Sequence, residues 1–436
     1  MDQTLETIAD WVANVKLADF SPAVVNRARL LLLDFIGCVF AGSEIQECEQ
    51  AFYLGEPGEY LVAGRRLSNA SAVHALGVLG ALLQYNDGYG NGGNHPSSSV
   101  LPGLLASGRP LNDLVLPMIV GYEVSNRLAE ATHPELTRVG YTPTAIWGPV
   151  GSAVALCKLF DESKSCIRRA VAISLFCPPV GVFSYLQKMV SVVPQHHGWA
   201  ARFGRDAAVL GRAGLNGGED PLVGYRSLPD LLGVSLDFGS SGIRLDGESL
   251  RSVYTKREIG CRHCHPSAAI ARALKKVVDQ DISGIKSIDI ATYKVALGFS
   301  QVPGYGLELY SCLMSIPWIF AANLIFGEVT PELLTNRAKY PEILRLAKKV
   351  RMTVSSKAET SYPTSLNSEV AVNFSDNKKP MKFIEVMSYS SESEMFAPAS
   401  LFDPALDTAG LISKFTNNSS RVIAKSEVDG IVDLLS

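Results

Sequence analysis

Apolar residues recur at helical spacing along most of the first 250 residues. Leu5, Ile8 and Trp11 form the first stripe, and this spacing places them on one face of an α-helix. Ser21 and Pro22 introduce a second helix, because serine is a good N-cap and proline suits the first helical position. The same pattern predicts helices over residues 69–84, 96–107, 112–131, 143–160, 164–176 and 197–212. Almost nothing in this half resembles a strand, so we predict a helical domain.

The pattern changes after about residue 250. Apolar and polar residues alternate around Ile288, within 350–354 and within 370–374, and a period of two predicts β-strands. Helices are predicted between these strands, over 266–279 and 309–326. The tail from Leu401 returns to a weak helical pattern, and we expect it to rejoin the helical domain. The polar stretch 388–400 is predicted to be a surface segment.

Composition and charge narrow the class of protein. The chain has 436 residues, of which 47% are hydrophobic and 19% charged, with a net charge of −3. This is ordinary globular composition, and the near-zero charge argues against nucleic acid as the main partner. The longest apolar run, Leu30–Phe40, is interrupted by Asp34 and is too short to span a membrane. Because the N-terminus lacks a secretory pattern, we expect a cytoplasmic protein.

The chain has seven histidines, and four of them fall in the clusters VPQHHGW and CRHCHP. A fifth, His95, directly follows the glycine-rich run GYGNGGN within the segment YNDGYGNGGNHPSSSVL. Pro96 is the predicted first residue of a helix there, and free N–H groups at such an end favour an anion. His95 either caps this helix or exchanges protons with a ligand, and the pattern supports both interpretations.

The CRHCHP segment could suggest zinc, since Cys261 and Cys264 have ligand spacing. A structural zinc site needs a second pair at similar spacing, and the other cysteines lie in apolar runs. We therefore predict no metal, and interpret Arg262 beside His263 as a carboxylate clamp. Nucleotide-binding glycine motifs and a GxSxG nucleophile elbow are also absent. Acid–base chemistry without a cofactor is the class that remains.

Several segments together resemble the MmgE/PrpD family, which includes 2-methylcitrate dehydratase and cis-aconitate decarboxylase. The similarity covers nearly the whole chain, and its blocks occur in the family's order. They are LADFSPAVVNRARLLLLDFIGCVFAG (17–42), LLQYNDGY followed by HPSSSVLPGLLA, VGYEVSNRLAEA (120–131), GYTPTAIWGPVGSAVALCKLF (140–160), HHGWAARFG (196–204), CRHCHPSAAIARAL (261–274) and SIPWIFAANLIFGE (315–328).

The resemblance implies a mostly α protein. A large all-helical domain would be built from both chain ends, residues 1–254 and 396–436, with residues 255–395 inserted as a smaller α+β lid domain. It also implies a homodimer with an active site between the domains, and chemistry that uses no metal or organic cofactor. Such enzymes remove a proton next to a carboxylate and then lose water or carbon dioxide.

Carried over by position, the resemblance assigns a site. His95 and Asp87 match family residues and are predicted to be catalytic. Thr142 stands where the family has a histidine, and we predict that it is also catalytic. A threonine hydroxyl cannot act as a base near neutral pH. The predicted substrate-binding residues are Tyr89, Lys256, Cys261, Arg262, His263 and Trp318.

The departures from the family replace charged or hydroxyl-bearing residues with neutral or apolar ones. Gln84 and Asn86 replace acids, Val193 or a neighbour replaces a lysine, and Trp318 replaces a tyrosine. Fewer charges favour a carboxylate or carbonyl substrate that is larger or less charged than a citrate. We expect a substrate of specialised metabolism and a lyase- or isomerase-type reaction. The alternatives are an alkylcitrate dehydratase or cis-aconitate-type decarboxylase, and an inactive relative that serves as a binding subunit.

Overall fold

Helices make up most of the described chain. The computed structural model describes residues 3–277, 282–304, 307–375, 381–388 and 406–435. The helices before residue 250 are α1 (Gln3–Asn14), α2 (Pro22–Ser43), α3 (Asn69–Leu82), α4 (Pro96–Leu105), α5 (Val115–Glu130), α6 (Glu135–Arg138), α7 (Pro143–Leu159), α8 (Lys164–Phe176), α9 (Phe183–Gln187), α10 (Gln195–Arg212) and α11 (Leu228–Leu232). The prediction of a mostly α fold is confirmed.

The predicted α+β region contains one mixed sheet. Its strands are β5 (Ile285–Thr292), β6 (Val350–Val354), β7 (Ser365–Phe374) and β8 (Met381–Ser388), in the order β6-β5-β7-β8. β5 runs parallel to β6 and antiparallel to β7, with Ile290 opposite both Met352 and Val370. The helices of this region are α12 (His265–Val277), α13 (Leu309–Leu313), α14 (Ile316–Phe326), α15 (Pro331–Thr335), α16 (Pro341–Ala347) and α17 (Ser356–Ser361).

Two differences from the predicted elements have local causes. The helix predicted over 309–326 is split, because Ser315 accepts a hydrogen bond from the Trp318 amide and starts a new helix there. The helical half also contains two short antiparallel pairs, β1 (Tyr60–Val62) with β2 (Arg65–Leu67) and β3 (Gly88–Tyr89) with β4 (Val253–Tyr254). Strands of two or three residues are too short to show a period of two. The predicted surface segment 388–400 lies outside the described residues apart from Ser388.

The hydrophobic side chains form two cores. One core is built from the helices of the first half together with Phe415, Val428 and Leu435 near the chain end. The other surrounds α12 and α14 and one face of the mixed sheet. The C-terminal helices α18 (Thr408–Ser419) and α19 (Lys425–Leu435) both pack on α2. In the described residues, none of the helices is long and apolar enough to cross a membrane.

A buried ion pair fixes α18 to α2. Lys414 Nζ lies 2.6 Å from Asp34 Oδ1, and both side chains are almost completely buried. The same ammonium donates to the Tyr85 carbonyl at 3.1 Å and lies over the Tyr85 ring. Asp34, the acid that interrupts the apolar run of α2, therefore has its charge partner in the last part of the chain. Through Tyr85, this contact also reaches the segment that leads to His95.

Candidate active site

A cavity of about 120 Å³ lies between the two cores. One water molecule needs roughly 10–15 Å³ on this scale, so the cavity has room for a small ligand. The helical side contributes residues around His95, Thr142 and His197, and the α+β side contributes Arg262 and His263. The ligand-sized space therefore lies where both parts of the chain meet.

The glycine-rich loop brings His95 to this cavity. The Tyr89 amide donates to the Asn94 carbonyl at 2.7 Å, which closes the loop. Gly92 packs against the end of α5, where an added Cβ would lie 2.8 Å from the Ala129 Cβ. A larger residue there would push the loop away from α5 and move His95 with it. Close approach is therefore the physical reason for a glycine at this point of the loop.

His95 is the N-cap residue of α4, but its imidazole does not cap the helix. Nδ1 lies 2.6 Å from the Asp87 carbonyl oxygen. Because a carbonyl can only accept, Nδ1 carries the hydrogen and Nε2 keeps a free lone pair. Burial, and then the positive charge of Lys256, lowers the pKa of His95 to about 3. The ring is therefore neutral at physiological pH and presents a proton acceptor.

Asp87 supports His95 from behind the cavity lining. Its Oδ1 accepts from the Ser97 amide at 3.2 Å and the Ser97 hydroxyl at 2.6 Å, and Oδ2 accepts from Tyr122 at 2.9 Å. The anion predicted for the start of α4 is thus this carboxylate, a group of the protein itself. Burial raises the pKa of Asp87 to about 6 despite these hydrogen bonds. Asp87 does not line the cavity, and its contacts position α4 and the ring of His95; the predicted catalytic role of Asp87 stays a prediction.

Two neighbouring histidines of α10 join His95 at the cavity. The ring centroids of His196 and His197 are 3.9 Å apart, and those of His95 and His197 are 6.0 Å apart. α10 reaches this position because Gly198 faces Gly77 of α3, where an added Cβ would lie 2.9 Å from the opposing Cα. Two glycines in contact let the helix backbones approach closely, and His197 precedes this contact in the chain.

We assign the same tautomer to all three rings. His196 Nδ1 lies 2.5 Å from the Val193 carbonyl, so this nitrogen must donate. His197 Nδ1 lies 2.6 Å from Ser98 Oγ, and the Ser98 hydroxyl itself donates to the His95 carbonyl at 3.0 Å. Because the His95 carbonyl can only accept, we assign the single Ser98 hydrogen to that bond, which makes Ser98 the acceptor for His197. Burial lowers the pKa of His196 to about 4 and that of His197 well below the usual value. We call His95, His196 and His197 the acceptor wall.

Residues 256 and 262 bring positive charge to the cavity. Arg262 lines it, and its guanidinium lies over the Tyr254 ring at 4.7 Å. Lys256 lies behind the lining, 1% exposed, and donates to the Gln84 carbonyl at 2.8 Å. Burial lowers the pKa of Lys256 to about 8. We call Arg262 and Lys256 together the cationic wall. Of the lining residues that the structure describes, none is a carboxylate.

Cys261 and His263 flank Arg262 at the cavity. A hydrogen bond with Cys264, and then the charge of Lys256, lowers the pKa of Cys261. The ring of His263 stacks on Phe299 with centroids 4.9 Å apart, and burial lowers its pKa to about 4. Across residues 3–277 and the other described ranges, no group of three His, Cys, Asp or Glu side chains is arranged to hold a metal ion.

The remaining predicted residues divide into two groups. Tyr89 and Thr142 line the cavity; the Tyr89 hydroxyl donates to Glu130 at 2.9 Å, and Thr142 Oγ1 has no hydrogen-bond partner in the described part of the chain. Trp318 was predicted to contact substrate, but it lies in the second core, 1% exposed. The reason is that α14 is apolar on every side, so nothing in its pattern marks which face turns toward the cavity.

Lys256 was also predicted to contact the substrate directly. Its ammonium instead donates to the Gln84 carbonyl. Conversely, three lining histidines lie outside the predicted site: His133, His196 and His197. The VPQHHGW cluster is a visible signal for the last two. Nothing in the sequence around His133 distinguishes it. Its two ring nitrogens are buried and have no partner among the described residues.

Family models match both halves of the chain. The MmgE/PrpD N-terminal domain matches residues 6–233, and the MmgE/PrpD C-terminal domain matches residues 260–435. The chain belongs to the MmgE/PrpD family. This confirms the resemblance found in its sequence blocks.

Among individual proteins, this MmgE/PrpD chain is similar to enzymes named for cis-aconitate. Cis-aconitate decarboxylase of Mus musculus is 21% identical over 464 aligned positions, which cover 99% of this chain and 89% of the mouse protein. The cis-aconitate decarboxylase-like protein oryM of Aspergillus oryzae is 28% identical over 228 residues, 48% of this chain and 47% of that protein. The match thus spans about half the length of the oryM protein. Cis-aconitate decarboxylase of Aspergillus terreus is 26% identical over 223 residues.

Proposed function

We propose that this protein is an acid–base enzyme of the lyase or isomerase type that works without a cofactor. His95 Nε2 would take a proton from a carbon next to a carboxylate or carbonyl, and Arg262 would hold the anionic end. The observation that carries this proposal is the tautomer of His95, which leaves Nε2 without a hydrogen on a residue that lines the same cavity as Arg262. One positioned base typically contributes about 10²–10⁴-fold in rate.

The charge around the cavity bears on the substrate. One guanidinium lines it and one ammonium lies behind it, whereas a tricarboxylate brings three negative charges into a partly desolvated space. Unpaired buried charge costs several kcal/mol per ion. The aromatic rings of Tyr254, Phe299 and Tyr362 line the same space. We therefore propose a less charged carboxylate with an apolar part, as in specialised metabolism.

Deuterium exchange tests this proposal without knowledge of the product. The purified protein is incubated in D₂O with cis-aconitate, 2-methylcitrate, trans-2-hexenoate and 3-phenylpropanoate. Proton NMR follows deuterium entry and any loss of water or carbon dioxide. Exchange that disappears in His95→Asn supports the proposal, because asparagine can still donate to the Asp87 carbonyl but has no atom at Nε2. Exchange that persists in this variant would remove His95 from the reaction.

Two alternatives are decided by the same incubation. The names of the relatives favour a cis-aconitate-type decarboxylase, which would release carbon dioxide from cis-aconitate, and an alkylcitrate dehydratase would release water from 2-methylcitrate. Thr142 in place of a family histidine favours an inactive relative that binds ligand only. Tight binding without exchange of any acid would support that third function. The homodimer and the cytoplasmic location stay predictions.

A further inference from the structure

The tautomers of the acceptor wall have a consequence for ligand recognition. His196 and His197 use Nδ1–H on fixed acceptors, as His95 does, so each ring has only Nε2 left for a ligand. A neutral, unprotonated Nε2 accepts hydrogen bonds and cannot donate one. A carboxylate oxygen would face a lone pair there. The substrate carboxylate therefore belongs near Arg262, and a hydrogen-bond donor belongs at the acceptor wall.

The charge nearby selects the kind of donor. His197 is surrounded by the rings of His95 and His196 and by the Ser98 hydroxyl, and the charge of the Lys256 ammonium lowers its pKa. Both imidazoles are neutral, and Lys256 is the charged member of this set. A cationic amine of a ligand would be repelled by Lys256, whereas a hydroxyl group carries no charge and can donate. The environment thus favours a hydroxyl donor over an ammonium.

Each of the three serines of HPSSS has different hydrogen-bond partners, and only Ser98 contacts His197. Ser97 binds Asp87, and Ser99 donates to the Pro96 carbonyl of its own helix at 3.1 Å. Ser98 alone of the three joins two imidazole residues, since it accepts from His197 and donates to the His95 carbonyl. Without Ser98, His197 would lose the acceptor that keeps the hydrogen on Nδ1.

We infer that His197 contacts the substrate and binds one of its hydroxyl groups through Nε2, and that Ser98 is the positioning residue that keeps this nitrogen unprotonated. The inference rests on the proposed function, in which the carboxylate lies at Arg262 and His95 removes the proton. It adds that the substrate of this chain is a hydroxylated carboxylate, with the hydroxyl near the His95 ring.

Matched acid pairs test the inference by binding alone. Calorimetry compares 3-hydroxy-3-phenylpropanoate with 3-phenylpropanoate, and citrate with tricarballylate, since each pair differs only in a hydroxyl. We expect the hydroxylated member of at least one pair to bind about 10-fold more tightly, as for one added hydrogen bond. Equal affinity within both pairs would overturn the inference. Tighter binding of 3-amino-3-phenylpropanoate than of its hydroxyl analogue would do the same.

Single-residue variants test whether His197 itself causes the preference for the hydroxylated acid. His197→Asn keeps a donor for Ser98 but has no atom at Nε2, so the hydroxyl preference should fall to about 1–2-fold while the affinity for the deoxy acid stays. Ser98→Ala should lower the preference, and Ser99→Ala, a buried serine one position along the helix, should leave it unchanged. A preference that survives in His197→Asn would overturn the assignment.

Two further measurements keep the outcomes distinct. His95→Asn should retain the hydroxyl preference while deuterium exchange disappears, so a failure of the proposed function is seen separately from a failure of this inference. Where all four acids bind too weakly for calorimetry, ¹⁵N NMR of labelled histidines in the ligand-free protein decides. His197 with an unprotonated Nε2, altered by Ser98→Ala but not by Ser99→Ala, supports the inference; a protonated Nε2 overturns it.

Discussion

The two walls of the cavity are built in opposite ways. The acceptor wall consists of neutral imidazoles whose Nδ1 atoms are tied to carbonyls and a serine, within helices of the larger core. The cationic wall consists of Arg262 and the buried Lys256, next to the start of α12. One wall can take protons and the other can hold negative charge. Proton removal next to a carboxylate needs both capacities on one substrate, which is what this division supplies.

The largest expected effect comes from breaking the acceptor wall at His95. His95→Asn should lower turnover of the responsive acid by about 10²–10⁴-fold, because it removes the base but keeps the contact to the Asp87 carbonyl. Steady-state rates and the melting temperature are measured together. Turnover within threefold of wild type, in a protein that melts normally, would show that another group takes the proton.

The ion pair between Asp34 and Lys414 fixes α18 to α2 and contacts Tyr85, in the segment before His95. Lys414→Met removes the ammonium that lies 2.6 Å from the buried Asp34 carboxylate and should lower the free energy of unfolding by about 3–5 kcal/mol. Urea unfolding measures the loss. The double variant Asp34→Asn with Lys414→Met removes both charges and should recover most of the stability. Equal instability of the single and double variants would contradict this account of the contact between α2 and α18.

The cationic wall is tested at Arg262. Arg262→Gln should weaken binding of the carboxylate about 10–100-fold, since charged hydrogen bonds contribute roughly 1.5–3 kcal/mol. KM should rise more than kcat falls, because the arginine binds the part of the substrate that does not react. The exposed Arg257, five residues earlier in the same segment, provides the control: Arg257→Gln should change neither constant. An unchanged KM in Arg262→Gln would place the carboxylate elsewhere.

The sequence predicted where helices begin better than it predicted which side chains line the cavity. Ser21 and Pro96 marked helix starts that the structure confirms, because capping and proline geometry act within a few residues. Trp318 and Lys256 were expected to contact substrate and lie outside the lining, since position in a motif does not reveal which side of a packed element faces open space. His133, His196 and His197 line the same cavity as His95 only because separate elements pack together.

The effect that is most gradual with pH concerns His133, the lining histidine whose ring nitrogens have no partner in the described residues. Burial lowers its pKa to about 4, against about 6.5 in the unfolded chain. Between these values the unfolded state binds more protons, so this histidine makes stability rise with pH. His133→Leu should reduce the slope of the unfolding free energy by at most about 1.4 kcal/mol per pH unit between pH 4 and 6.5. Urea unfolding at half-unit steps measures it, and the two proteins should run parallel above pH 7.5. If the two curves of unfolding free energy against pH are parallel over the whole range, His133 has the same pKa in the folded and unfolded states. It would then differ from the hydrogen-bonded rings of the acceptor wall.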